Sequence, residues 1–305
     1  AVGAQTSVAK WFVRRRGRAV TFSTLGLPLS AIVIIPATEW MVALYGWRTA
    51  WMVLGAGVLL LLMIPAGLFM RGSPESVGLL PDGDLPETAP GAPAVRYAPS
   101  RHAEFEWGTK EAVRTQTFWM LSLAFAVIGM VPTILSVHMF PYFTDQGLNP
   151  ATAAAAAGSF GVSVIISRLL VWGFLLERVP IQYTLMLWGT LMTLAISVML
   201  LVNSTVLAFA AASCFGIAMG GSAPLGTLAW ARYYGRRSLG SITGVASLIS
   251  IINDIAGPLM PSLVFDLTGS YHGAFVGTAI GCLAGVAMFA IAGPPRPPQR
   301  PGEAA

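Results

Sequence analysis

One arginine and one aspartate stand inside long apolar stretches of this sequence, where a charged side chain needs a partner. Arg168 lies in "ISRLLVWGFLLERV" (166–179), and nine residues separate it from Glu177, about 13 Å along a helix. Charge at the centre of a membrane helix costs about 2.5–3.5 kcal/mol. A guanidinium stays charged and holds a carboxylate through two parallel hydrogen bonds. Two interpretations stay open: Arg168 anchors an anionic substrate, or it has a structural role, paired with Asp254 or snorkelling.

Asp254 belongs to a polar stripe on one predicted helix. The stripe residues recur at spacings of three and four, which places them on a single face: Thr243, Ser247, Ser250, Asp254, Gly257, Pro258 and Pro261. Contact with lipid would be unfavourable, so we expect this face to meet protein or a water-filled path. A buried carboxyl there is a candidate proton site, or alternatively a partner of Arg168 or Asn253, or a packing group.

Further candidates lie near the ends of other apolar stretches. His138 and Tyr142 are four residues apart, so one helix face carries both, and we expect them to line an outer vestibule. A merely solvated histidine is the alternative. We expect Glu39 to be structural. The spacing Gly216-x-x-x-Gly220, followed by Gly221, predicts close contact between two helices.

No group of residues predicts enzymatic catalysis. The sequence shows no nucleophile–base pair, no metal-ligand spacing and no phosphate-binding glycine loop. The two cysteines, Cys214 and Cys282, lie in apolar runs and are expected to pack there. We therefore predict a protein that is not an enzyme and needs neither metal nor cofactor.

Composition indicates that the solvent of these stretches is lipid. Of the 305 residues, 55% are hydrophobic and only 10% are charged, whereas a soluble domain carries about 25% charged residues. The net charge of +5 comes without a basic stripe interleaved with aromatic residues, which argues against nucleic acid as a partner.

Apolar stretches of membrane-crossing length predict eight transmembrane helices. Their connections are mostly short, which favours antiparallel neighbours in an all-α polytopic bundle. Alternating strands of a membrane barrel are absent from these runs. The predicted spans cover residues 19–44, 47–70, 116–141, 151–176, 181–202, 205–231, 240–265 and 272–293.

Loop composition predicts the domains and the orientation. Residues 71–115 are rich in proline and acids at first, so we expect a central linker, with a short helix near its end. If "KWFVRRRGR" faces the cytoplasm, every basic residue except Arg48 and Arg168 falls in a cytoplasmic segment. Both ends, including a tail at 294–305, are then cytoplasmic. Residues 1–70 are the remainder of one bundle, and 116–293 form a second bundle of six helices.

A weak internal repeat supports two bundles. Residues 14–51 and 235–275 each start at a basic turn, pass through a span with prolines in its outer half, and end at a glycine turn beside an aromatic residue. Both copies run in the same direction, as when two bundles are related by an axis along the membrane normal. We therefore expect eight helices of a total of twelve, with the others upstream.

The combination resembles a transporter of the major facilitator superfamily over essentially the whole chain. "KWFVRRRGRA" and "YGWRTAW" resemble the loop before the fifth helix and the start of the sixth. "GFLLERVP" resembles the second copy of the loop motif Gly-x-x-x-Asp-Arg-x-Gly-Arg: Gly173 and Arg178 match, while Glu177 replaces aspartate. Pro180 and Ile181 replace the later glycine and arginine. The resemblance implies a gating role for Gly173, Glu177 and Arg178.

A second resemblance is to one branch of this superfamily. "VHMFPYFTDQGLNPATAAAAAGSFG" (137–161) is similar to the seventh and eighth helices of the monocarboxylate and oxalate/formate branch. Members of that branch carry small carboxylates and often have an arginine four residues before the motif glycine; here Arg168 is five residues before Gly173. The signature of proton-coupled drug antiporters is absent from "TLGLPLSAIVIIP" (24–36).

These resemblances imply a secondary transporter that moves a small organic anion by alternating access. We expect it in the cell membrane, specifically a bacterial inner membrane, and as a monomer. Transport would be proton symport or anion exchange. Arg168, His138 and Tyr142 would contact the substrate, and Asp254 with Asn253 would serve coupling or ion pairing. Efflux of a drug or metabolite is one alternative, and a non-transporting receptor or scaffold of the same fold is another.

Overall fold

The computed structural model describes residues 7–8, 10–12, 16–69, 71, 74–77, 82, 107–235 and 238–295. These residues form helices, turns and short connections, and none of them belongs to a β-strand. Most of the predicted linker and nearly all of the predicted tail lie outside the described residues. The expected domain division therefore stays a prediction at those two places.

Eleven α-helices make up the described chain. Short π-helical turns, Val58–Met63 and Arg168–Trp172, interrupt two of the membrane-length segments. The helices are α1 Arg16–Ser23, α2 Gly26–Gly57, α3 Ile64–Phe69, α4 Thr109–Val113, α5 Gln116–Asp145, α6 Pro150–Ser167, α7 Gly173–Arg178, α8 Ile181–Met199, α9 Thr205–Tyr234, α10 Leu239–Thr268 and α11 His272–Ile291.

Local sequence explains where these helices begin and end. The side chains of Thr115, Asn149 and Ser204 accept hydrogen bonds from backbone N–H groups in the first turns of α5, α6 and α9, as N-cap residues do. Helices α9 and α10 end at Gly235 and Gly269, whose φ angles are 76° and 70°. Only glycine adopts such angles without strain.

Seven helical segments of the described chain, two of them continuous through a π-helical turn, are long and apolar enough to cross a bilayer, and the protein is an all-α polytopic membrane protein. Residues 19–44, the first of the eight predicted spans, are divided between α1 and α2, with a turn at Thr24–Leu25. The predicted boundary at 45–46 coincides with a kink at Gly46, which has φ 79°.

Helices α5 to α11 pack into one bundle around a common core. Helix α9 lies between α6 and α8, while α5 packs against α10 and α11. A tight cluster of aromatic rings, Phe118, Phe125, Trp188, Trp230 and Phe289, fills the centre near one end. By contrast, the most apolar window of Trp40–Leu68 contains no buried residue. From the N-terminal segment, α1 makes the main contact with the bundle.

Small residues bring α6 and α9 together, as the glycine spacing predicts. A Cβ at Gly216 would lie 2.6 Å from Ser163 Cβ, and one at Gly221 would lie 2.6 Å from ring carbons of Trp172. Ser167 Oγ, Trp172 Nε1 and Arg168 Nε all donate hydrogen bonds to carbonyls of α9. The glycines therefore expose backbone acceptors as well as allowing the close approach.

One end of the bundle, which we call the basic end, carries the start of α5, the end of α7 and the end of α9, with Arg18, Arg114, Arg178 and Arg232. Polar contacts tie the elements there. Trp107 N–H donates to the Tyr234 carbonyl at 3.3 Å, Thr115 and Tyr234 share a 2.7 Å hydrogen bond, and Gln182 donates to the Ala290 carbonyl at 2.7 Å. The expected short helix before α5 is α4.

The contact between α6 and α9 can be tested with a side chain that it cannot hold. Gly221→Leu should lower the free energy of unfolding by about 1–3 kcal/mol, because overpacking forces Trp172 aside. Thermal unfolding of the purified protein measures this. Gly244→Leu is the matched control, since nothing lies within 4 Å of a Cβ there. Equal melting temperatures for the two variants would contradict the close contact.

Candidate functional site

Arg168 is buried and its guanidinium is held by backbone carbonyls. The side chain is 3% exposed. Its Nε donates to the Gly220 carbonyl of α9 at 3.0 Å, and its Nη1 donates to the Thr24 carbonyl between α1 and α2 at 2.7 Å. Within the described part of the chain, Arg168 forms no ion pair, so the alternative of a pairing with Asp254 is not realised.

The local backbone explains why these two carbonyls are available. In an α-helix a carbonyl accepts from the N–H four residues later, and proline has no N–H. Residue 224 is a proline, so the Gly220 carbonyl lacks its usual donor, whereas Thr24 lies in the turn between α1 and α2, outside both helices. Arg168 supplies a donor to each carbonyl. The arginine thus links the N-terminal segment to the C-terminal bundle.

The π-helical turn fixes the register of Arg168. Gly173 N–H donates to the Arg168 carbonyl, five residues earlier, where an α-helix would use the residue four earlier. Such a turn accommodates one extra residue without rotating the helix on either side of it. Arg168 therefore stands above Gly173 as it would with a spacing of four. The structure absorbs the one-residue difference from the spacing typical of the monocarboxylate branch.

Asp254 and Asn253 are adjacent but face different surroundings. Asn253 donates its side-chain amide to the Ala126 carbonyl of α5, which attaches α10 to α5. Asp254 is exposed and forms no ion pair with any described residue. The stripe on α10 leads from Thr243 to Asp254, and its first three members line a cavity.

That cavity has a volume of about 310 Å³ and lies between α5, α9 and α10, nearer the basic end. This volume lies within the usual range for ligand pockets. Hydroxyl groups and two aromatic rings dominate its wall, and the described lining carries no charge. The lining residues are Ser122, Phe125, Ser222, Ala223, Gly226, Thr227, Trp230, Thr243, Ala246, Ser247 and Ser250.

His138 and Tyr142 pack among aromatic rings at the opposite end, and neither lines an open vestibule in this structure. Each side chain is 5% exposed. Nε2 of His138 lies 2.9 Å from the Pro258 carbonyl, which can only accept, so Nε2 carries a hydrogen. The ring of Tyr271 contacts both side chains. Burial raises the pKa of Tyr271, and the carboxylates of Asp145 and Asp266 raise it further.

Residues of the loop motif connect α7 to α1. Glu177 Oε2 accepts from Arg18 Nε at 2.9 Å, while a methyl carbon of Thr21 would lie 3.6 Å from a Cβ at Gly173. The guanidinium of Arg178 stacks on Phe174, 3.8 Å from the ring centre. Since Arg18 is half exposed, the ion pair itself stabilises the contact by at most about 1 kcal/mol. Gly173 and Glu177 thus lie at a junction between the N-terminal segment and the bundle.

Sequence reasoning missed two parts of this site. Ser122 and the serine and threonine of α9 gave no periodic signal, because they come from two separate helices. Pro224 did give a signal for an open carbonyl at Gly220, but the sequence does not say which donor reaches it. The side chain of Glu39 lies outside the described residues. Among those described, no three His, Cys, Asp or Glu residues could hold a metal ion.

Comparison with known proteins adds a family and several relatives. The family model described as Major Facilitator Superfamily matches residues 1–251. Monocarboxylate transporter 11 of Mus musculus is 26% identical over 299 residues, covering 95% of this chain and 62% of that protein. Monocarboxylate transporter 13 of Bos taurus is 23% identical, with coverage of 91% and 60%. Monocarboxylate transporter 12 of Mus musculus is 25% identical, with coverage of 92% and 59%. The chain thus spans about three fifths of the length of these relatives.

The π-helical turn gives a test by deletion. Removing Leu170, which is 73% exposed, should convert the turn to α-helix and keep Arg168 and Gly173 on their present faces. The melting temperature should fall by less than about 4 °C, equivalent to about 1 kcal/mol. Thermal unfolding of the purified variant measures this.

The matched control is deletion of Leu187 in the regular helix α8, where every later residue would rotate by about 100°. We expect that variant to lose its folded state. If both deletions destabilise the protein equally, the π-helical turn does not absorb a residue.

Proposed function

Because the chain belongs to the major facilitator superfamily, we propose that it forms part of a secondary transporter that moves a small monocarboxylate-like anion by alternating access. The relatives named as monocarboxylate transporters support this substrate class. The predominance of basic residues at one end supports an orientation with that end in the cytoplasm. We place the protein in the cell membrane as a monomer, and its role is transport and not catalysis of a covalent reaction.

The observation that carries the proposal is the buried guanidinium of Arg168. Two of its donors reach carbonyls, and carbonyl dipoles satisfy hydrogen bonds without neutralising a full charge. No described carboxylate neutralises the charge of Arg168. A transported carboxylate would supply the missing negative charge and would accept two parallel hydrogen bonds. Arg168 is therefore a binding group for an anion and a poor one for a neutral or cationic solute.

The position of Arg168 also relates binding to movement. Thr24 belongs to the N-terminal segment, whereas Gly220 and Arg168 belong to the C-terminal bundle. If the two bundles rock apart at the basic end, Arg168 loses the Thr24 carbonyl and Glu177 loses Arg18. A substrate carboxylate is a stronger acceptor than the carbonyl that it would replace. In this proposal the closed contact at Gly173, Glu177 and Arg178 blocks the cytoplasmic end while Arg168 is held.

Asp254 is the proposed group for proton coupling. It follows Ser250 by one helical turn on the stripe that lines the cavity, and no described cation pairs with it. A carboxyl at such a place can bind a proton from one side and release it to the other as the bundles move. Asn253 has a supporting role, because its amide holds α10 against α5.

Replacement of Arg168 tests the anion site. In the protein expressed from its complete gene and reconstituted in liposomes, Arg168→Gln should reduce uptake of radiolabelled lactate at least tenfold, since one charge-assisted hydrogen bond contributes about 1.5–3 kcal/mol. Arg168→Lys should also fail, because an ammonium offers no fork. The fold increase in the half-saturation concentration of Arg168→Gln should exceed the fold decrease in the amount of folded protein.

Arg48→Gln is the matched control, because Arg48 is exposed and stacks on Trp47 at 4.5 Å. It should leave uptake unchanged. Full anion uptake by Arg168→Gln at a normal membrane level would contradict the proposal and favour a structural arginine.

Replacement of Asp254 separates coupling from binding. Asp254→Asn should abolish accumulation of lactate driven by a pH gradient, because an amide does not exchange the proton. Exchange of labelled for unlabelled lactate across the same liposomes should continue, since Arg168 is intact. Asp266→Asn, at another exposed aspartate of α10, should leave both activities unchanged. Accumulation by Asp254→Asn at the wild-type level would show that another group couples the proton.

A further inference from the structure

The short helix α4 presents two positive charges that no described residue neutralises. Lys110 lies within α4, and Arg114 is its C-terminal cap residue. Both side chains are exposed, and neither forms a hydrogen bond or an ion pair with a described residue. Residues four apart lie on the same face of a helix, where like charges repel each other. An anion bound beside both side chains would relieve this repulsion.

The acidic residue of α4 is engaged at the other end of the helix. Glu111 is half-buried, and its Oε2 accepts a hydrogen bond from the Gly108 N–H at 2.8 Å. Its negative charge is therefore held at the first turn, where it is favourable to the helix dipole. The exposed charge of α4 is thus that of Lys110 and Arg114.

Contacts on both sides of α4 fix its place at the basic end. Before the helix, Trp107 is buried; its N–H donates to the Tyr234 carbonyl at 3.3 Å, and its ring meets the Tyr234 ring edge-on at 5.6 Å. After the helix, Trp119 Nε1 donates to the Val113 carbonyl at 2.9 Å. These contacts join α4 to the end of α9 and to the start of α5, so the two cations are presented at a defined position.

Trp119 relates this position to the depth of the membrane. It lies in the first turn of α5, a helix of membrane-crossing length, and its side chain is 46% exposed. Exposed tryptophans at the end of a membrane helix lie between the acyl chains and the headgroups. Arg114 and Lys110 precede Trp119 by five and nine residues, on the side away from the bilayer centre. Their charges therefore lie at the level of the phosphate groups of the lipid.

We propose that Lys110 and Arg114 bind the headgroup of an anionic phospholipid in the leaflet at the basic end, with Trp119 beside the glycerol and the first carbons of its chains. The guanidinium holds two phosphate oxygens, and the ammonium adds a point charge. The bound lipid stabilises the attachment of α4 to α9. This surface is separate from the anion site at Arg168, and the proposal does not depend on which solute the protein carries.

Thermal unfolding with added lipid tests the proposal. The complete protein in neutral detergent would be titrated with dioleoyl phosphatidylglycerol, which is anionic, or with zwitterionic dioleoyl phosphatidylcholine. Phosphatidylglycerol should raise the melting temperature at lower concentrations, because a ligand of the folded state stabilises that state. For Lys110→Gln/Arg114→Gln, the same rise should need about 30-fold more phosphatidylglycerol, since each cation near an anionic surface contributes about 1 kcal/mol.

Three controls separate charge from folding. Each rise is measured from the variant's own melting temperature without lipid, and the double variant should start at the wild-type temperature because both side chains are exposed. Lys110→Arg/Arg114→Lys keeps both charges and should keep most of the response. Arg48→Gln removes an exposed charge outside α4 and should keep the full response.

Two kinds of result would overturn the proposal. If the double variant responds to phosphatidylglycerol as wild-type protein does, or if phosphatidylcholine acts at the same concentrations, α4 does not select an anionic lipid. If inorganic phosphate raises the melting temperature as much as phosphatidylglycerol at equal phosphate concentration, the two cations bind a soluble anion and the assignment to lipid is wrong.

Discussion

The structure depends on a buried positive charge that backbone carbonyls hold and no described carboxylate neutralises. Helices α6 and α9 approach closely because Gly216, Gly220 and Gly221 carry no side chain. That approach brings Arg168 to the Gly220 carbonyl, which Pro224 has left without a helical donor. The Thr24 carbonyl, in the turn between α1 and α2, completes the environment of the guanidinium. The glycines, Pro224 and Arg168 thus contribute to one arrangement.

This arrangement gives the bundle two contacts that movement would break. Arg168 and Glu177 both reach the N-terminal segment from the same continuous stretch of helix, one through a carbonyl and the other through Arg18. Hydrogen bonds from Ser167 and Trp172 in the same stretch are made to α9 inside the bundle. In the proposed movement, the stretch from Ser167 to Glu177 would stay attached to its own bundle while its partners in the other segment change.

Much of this could be predicted from the sequence. Length and hydropathy gave seven of the eight spans as helices of membrane-crossing length, glycine spacing gave the close contact of α6 with α9, and the spacing of polar residues gave the stripe on α10. The first predicted span differed, because a turn at Thr24–Leu25 divides residues 19–44 between two helices in a way that hydropathy does not record. His138 was expected to line a vestibule, yet its side chain is 5% exposed and its Nε2 bonds to the Pro258 carbonyl of α10.

The partners of Arg168 show why the rest could not be predicted. Every residue has a backbone carbonyl whatever its type, so a hydrogen bond from a side chain to a carbonyl leaves no pattern of paired residue types in the sequence. Pro224 marks an open carbonyl at Gly220 but not the donor that lies nearby. Similarly, no residue type encodes a π-helical turn, and the cavity around Ser122 is assembled from three helices whose hydroxyls are individually ordinary.

The central claim is that Arg168 recognises negative charge, and the most direct test compares an anion with a neutral molecule of the same shape. We would measure equilibrium binding of propionate and of propionamide to the purified complete protein, with and without Arg168→Gln. Wild-type protein should prefer propionate at least tenfold, since a charge-assisted bond contributes about 1.5–3 kcal/mol, and the variant should bind both equally. A preference for propionate that survives in Arg168→Gln would contradict the account.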